Sequence, residues 1–199
     1  MTEIPSNASL RVAYADRLRL VTMIVVTGMV LGPILRVVLY SAFHQDEFRV
    51  VDLALAIATG AYYDAVGLLF AVVPFLFAAS LLRLRLLGRK WVRVPLMAIV
   101  LGAMCFNAIA EFFFFEEFNA RYNHIALDYL IYPREVFVNI WDSYNVPLVA
   151  IGALVGGLLL AIPIARLTRD VTFARVPWRL RWRAFGASCG LLAVLIGLV

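Results

Sequence analysis

With 199 residues, 64% of them hydrophobic and only 16% charged, the chain is too apolar for a water-soluble domain, which would be nearer half apolar and a quarter charged. A mean hydropathy of +0.91 points the same way, to an all-α integral membrane protein. The net charge of +5 would suit a nucleic-acid binder, but its segregation, described below, is that of a membrane topology, so nucleic acid is set aside as a partner.

In chain order, residues 1–17 are polar and read as a cytoplasmic tail leading into a helix. A first apolar run, about 18–43, is long enough to cross ~30 Å of hydrocarbon with some tilt. Further apolar runs follow and no small-residue cleavage site closes it, so it is not a secretory leader. Gly32-Pro33 is a point for a kink, and Arg36 lies inside the run near its far end. After a polar link at 44–52, residues 53–82 are too long for one simple span, and the GAYYD sequence at 60–64 interrupts them. The pattern predicts a short interfacial helix near 50–59 and a second span at about 65–82. A basic turn, 83–93, leads into a third span at about 94–115, with Asn107 and Glu111 in its far half.

Residues 111–147 form the polar-aromatic centre of the chain. They hold six of its 13 acids, together with Tyr122, Tyr129, Tyr132, Trp141 and Tyr144, ring types that settle where hydrocarbon meets water. Interfacial helices are expected in this segment, with Pro133 starting one of them. A fourth span, about 146–165, carries Gly152-xxx-Gly156, a spacing that permits close helix contact. The basic segment 166–183, with Trp178 and Trp182 as interface anchors, precedes a fifth run at 184–199. Cys105 and Cys189 lie in different apolar runs and read as small apolar fillers, not as a disulfide.

Charge placement orients these runs. Fourteen of the 18 Lys and Arg lie before the first span or at its start, in 83–93 and in 166–183, with only Glu3, Asp16 and Asp170 among them. The other side holds Arg36, Arg49, Arg121 and Arg134 against ten acids. The positive-inside rule then gives five transmembrane helices, N-in and C-out, with the 111–147 segment extracytoplasmic. Anionic lipid headgroups account for the basic loops.

The central segment resembles the membrane part of lipoteichoic-acid-synthase-like proteins, the phosphoglycerol transferase branch of the alkaline phosphatase/sulfatase superfamily. The residues that carry the likeness are Glu111, Phe114, Glu117-Phe118, Arg121-Tyr122-Asn123, Ile125-Ala126, Asp128-Tyr129-Leu130, Tyr132, Glu135-Val136, Asn139-Ile140 and Ser143-Tyr144. GAYYD at 60–64 with Pro74 is similar to a further element of that family, so the likeness covers roughly residues 60–147. The resemblance implies a five-span domain of the bacterial cytoplasmic (inner) membrane, with phosphatidylglycerol as lipid partner. It also implies a large extracytoplasmic catalytic domain with a threonine nucleophile and Mn²⁺ or Mg²⁺. The chain runs to Val199 without that constellation, so no cofactor is expected in it. The expectation is a membrane-anchoring, lipid-donor-engaging unit that is catalytically silent by itself and works with a C-terminal or separate catalytic domain.

Arg36, Asp64 and Glu111 are ionisable groups in the outer third of three different spans, where charge is costly and usually paired. Two arrangements remain open. One is a headgroup pocket in which Arg36 or Arg121 meets a lipid phosphate, with Asn123 beside it and the acids on glycerol hydroxyls. The other is an Arg36–Asp64 or Arg36–Glu111 ion pair locking helices, or snorkelling to the surface. Asp128, Glu135 and Asn139 are spaced to share a helix face if Pro133 only begins a helix. With Tyr144, they either dock the catalytic domain or tie down the interfacial segment, and the structural role takes precedence. His44 and His124 lack ligand spacing and read as loop residues, and Phe112–Phe115 reads as lipid-facing. The rival functions are a small ion-coupled transporter using Arg36, Asp64 and Glu111 as a relay, and a non-catalytic scaffold subunit packing through Gly152 and Gly156.

Overall fold

The computed structural model describes residues 7–43, 49–81, 89–122, 129, 131–169 and 178–197. Among these the regular structure is entirely helical: α1 (Asn7–Phe43), α2 (Val50–Leu81), α3 (Lys90–Phe118), α4 (Pro133–Ser143), α5 (Val146–Leu167) and α6 (Trp178–Gly197). Helices satisfy every backbone donor and acceptor internally, which hydrocarbon demands. Four stretches, Arg19–Phe43, Val50–Phe70, Lys90–Phe118 and Val146–Leu167, are long and apolar enough to cross a membrane. Large apolar side chains such as Val30, Ile34, Leu148, Ile151 and Leu159 stand exposed on the outer faces of α1 and α5, a surface suited to lipid rather than water.

Helix α2 departs from the sequence reading. It runs 32 residues, about 48 Å at 1.5 Å per residue, straight through the GAYYD sequence expected to interrupt it. Gly60 and Asp64 are four residues apart and share one helix face. That face meets α1, where Arg36 takes up the carboxylate. A polar residue with a partner on the neighbouring helix leaves its own helix intact. At the turn between α1 and α2, the Tyr40 hydroxyl donates to the Arg49 carbonyl (3.3 Å) and accepts from the Arg49 amide (3.1 Å).

The packing is antiparallel for α1 with α2 and for α3 with α5, while α1 and α3 run together. Gly28 of α1 lies under Leu68 of α2 and Met104 of α3. Phe43 of α1 meets Phe112 and Phe115 of α3 with ring centroids 5.3 and 5.2 Å apart. The most extensive contact joins α3 to α5. Its buried core is Met97, Ala98, Leu101, Ala161 and Ile164, with Leu20 and Met23 of α1 packed against it.

The expected Gly152-xxx-Gly156 contact is displaced by one residue. Gly152 faces open space, whereas a Cβ on Gly157 would run into the backbone of Ala98 and Gly102. The seam is Ala153-xxx-Gly157-xxx-Ala161, with Ala153 and Ala161 2% and 0% exposed. Small residues at that spacing let two backbones approach, and one empty Cβ position suffices at the closest point. The Phe112–Phe115 run is likewise packed inward, with Phe114 buried and its neighbours half-buried.

Candidate functional site

Two ion pairs lie among α1, α2 and α3, towards the C-terminal ends of α1 and α3 and beside the middle of α2. Arg36 donates from Nη1 and Nη2 to Oδ2 and Oδ1 of Asp64, at 2.6 and 2.9 Å, a bidentate fork. Two glycines make room for it: a Cβ at Gly60 would strike the guanidinium and one at Gly32 the Asp64 carboxylate. The pair is nearly withdrawn from solvent, with side chains 5% and 17% exposed.

The second pair closes across the end of α3. Asn119 caps that helix in the left-handed conformation (φ 48°), a backbone region asparagine tolerates better than most residues, and its amide bonds the Phe115 carbonyl. The chain reverses there and lays Arg121 back along α3. Arg121 Nε donates to Oε1 of Glu111, which is buried. Burial works against charge on Arg121. The Glu111 hydrogen bond and the Glu111 and Asp64 carboxylates outweigh it and raise its pKa. The two pairs therefore act on one another as a four-group cluster of no net charge.

A cavity of about 710 Å³ descends from this cluster between α1, α2 and α3. Tyr63, Asp64, Asn107, Glu111 and Arg121 bring its polar groups, and the remaining wall, including Ile24, Leu68, Val72 and Val100, is apolar. On the far side of Arg121 a second space of about 430 Å³ is lined by Arg36, Tyr40 and Phe115, so Arg121 borders both. Arg36 spends both terminal nitrogens on Asp64. Arg121 is 39% exposed and makes its one hydrogen bond to a described residue through Nε, leaving its terminal nitrogens open.

Of the candidate residues, Arg36, Asp64, Glu111 and Arg121 are brought together. Asn123 and Asp128 lie outside the described residues, as do His44 and His124. Pro133 does begin a helix, α4. On it Glu135 is exposed, and Asn139 borders another cavity, of about 410 Å³, with Tyr144 and Glu117. Nothing in the sequence signals the Glu111–Arg121 pairing: ten residues of separation across a helix end leave no periodic pattern. Arg93, at the start of α3, is 4% exposed, and its Nε and Nη1 have no hydrogen-bond partner among the described residues. In the sequence its basic neighbours Arg89 and Lys90 make it look like one more loop cation. Among the described residues no three His, Cys, Asp or Glu side chains converge as a metal site requires.

No protein-family model, curated protein or solved structure matches the chain.

Proposed function

We propose that this chain is a lipid-engaging membrane unit, its cavity between α1, α2 and α3 receiving an acyl chain and its ionic end receiving a phosphate-and-hydroxyl headgroup. The observation that carries this reading is the form of the cavity, apolar along most of its wall and closed at one end by Asp64, Glu111 and Arg121. Open guanidinium nitrogens on Arg121 match phosphate oxygens, and the carboxylates match glycerol hydroxyls. Arg36, saturated by Asp64, is assigned to holding α1 against α2. A proton relay reading is weaker, because the cavity away from this cluster is walled by apolar side chains such as Ile24 and Val100.

The orientation that suits this role is the one charge segregation favours: five spans with α6 as the last, the N-terminus inside, and the cluster at the outer leaflet of a bacterial cytoplasmic membrane. There the unit would hold phosphatidylglycerol and raise its effective concentration at a phosphoglycerol-transferring catalytic domain, in line with the resemblance in residues 60–147. The test is native mass spectrometry of the purified chain with phosphatidylglycerol and phosphatidylethanolamine in competition. Selective retention of phosphatidylglycerol, lost in Arg121→Ala, is expected. Equal and weak retention of both lipids would overturn the reading.

A further inference from the structure

The cavity of about 410 Å³ lies on a face of α3 adjoining that of the ionic cluster's trough, between α3, α4 and the start of α5. Seven aromatic rings line it, among them Phe113, Phe114, Phe118, Tyr122, Tyr129 and Tyr144. Their mutual geometry is ordered. Phe113 and Tyr144 lie 4.7 Å apart between centroids, and Phe114 and Tyr122 meet at 5.0 Å, edge to face. Tyr129 stands 6.0 Å from Phe118 and 6.2 Å from Phe114. Asn139 and Ser143 of α4 add polar groups at the rim.

Among the described residues, one charged side chain lines this space. Glu117 lines it, is exposed, and forms no ion pair with a described residue. Its carboxylate sits close enough to Tyr129 and Tyr144 to reinforce the upward push that burial gives both phenols, and the neutral rings present electron-rich faces. A box of ring faces with an uncompensated carboxylate attracts a weakly hydrated cation.

We infer that the Phe113–Phe118–Tyr129–Tyr144 box with Glu117 is a binding site for an alkylammonium group, carried by a free small cation or by the headgroup of a zwitterionic lipid. The rings supply cation–π attraction and exclude water, and Glu117 supplies the counter-charge. The site is a different cavity from the one that ends at Arg121, although Tyr122 in its wall adjoins that arginine.

The test is a titration of the full chain in nanodiscs with choline and with 3,3-dimethylbutan-1-ol, its neutral isostere, followed by calorimetry. Choline is expected to bind at least about tenfold more tightly than the isostere. Glu117→Gln, at an exposed position that leaves the packing alone, is expected to weaken choline about tenfold without changing the isostere. Tyr122→Leu should weaken choline by a smaller factor. A competition between phosphatidylcholine and phosphatidylglycerol, read by native mass spectrometry, separates the sources. Retention of phosphatidylcholine that is lost in Glu117→Gln assigns a lipid headgroup, and choline binding without such retention assigns a free cation. Equal affinity for choline and its isostere, choline binding indifferent to Glu117→Gln, or no saturable choline binding would each overturn the inference.

Discussion

Arg36 and Arg121 carry the same guanidinium within one cluster, yet their bonding differs. Arg36 is buried and saturated by Asp64, so its role is to join α1 to α2. Removing one partner of such a pair strands the other charge, at a cost of about 3–5 kcal/mol. Asp64→Asn should therefore lower the thermal unfolding temperature in detergent sharply. The double variant Arg36→Met/Asp64→Leu should recover most of the loss, since two apolar groups leave nothing stranded; a double variant no better than the single would refute this. The phenols of Tyr122, Tyr129 and Tyr144 are all pushed up, first by burial and then by nearby charge. A folded-state pKa above the unfolded value means that the folded chain holds its protons longer. The associated stability is complete below the ordinary phenol value of about 10 and is lost as pH rises through the raised values. Denaturation midpoints should stay level up to that pH and fall above it, with phenolate absorbance appearing later in the folded protein than in the unfolded one.

At the scale of the helices, the seam between α3 and α5 rests on Gly157. Gly157→Leu forces a side chain into the Ala98 and Gly102 backbone and should cost at least about 3 kcal/mol, at the upper end of overpacking penalties. Gly152→Leu points into open space and should be near neutral. A scan in which Gly152→Leu proved the more harmful of the two would place the seam where the glycine spacing alone put it. The register has a covalent check as well. A Cβ at position 156 would stand 3.8 Å from the Cβ of Cys105, the usual separation in a disulfide. Gly156→Cys should cross-link to Cys105 on mild oxidation, and cysteines introduced at 152 in place of 156 should not. Both glycines were visible in the sequence. Which of Gly152, Gly156 and Gly157 meets α3 depends on the rotation of α5 about its axis, which its nearly uniform apolar surface leaves open.

For the whole molecule, the contacts set the ionic cluster, the aromatic box and α4 at one end of the helices, and the basic turns lead into the other. A cysteine at Glu116 should be labelled in intact cells by a membrane-impermeant maleimide, and one at Arg89 only after permeabilisation; the reverse pattern would invert the topology proposed here. Composition and patterning alone determined the class of protein, the existence of long apolar helices, the segregation of basic residues and the need of Arg36 for a partner, because burial in hydrocarbon acts on side chains one at a time. The tertiary structure decided what depends on two elements meeting. It carried α2 unbroken through residues 60–64, since Asp64 is satisfied from α1. It chose Asp64 over Glu111 as the partner of Arg36 and turned Arg121 back onto Glu111 through the left-handed Asn119. It also gathered Phe113, Phe114, Phe118 and three tyrosines around Glu117, where linear order shows only an apolar run beside a polar one. Pairing and enclosure are properties of distances between helices, and no periodicity within one helix contains them.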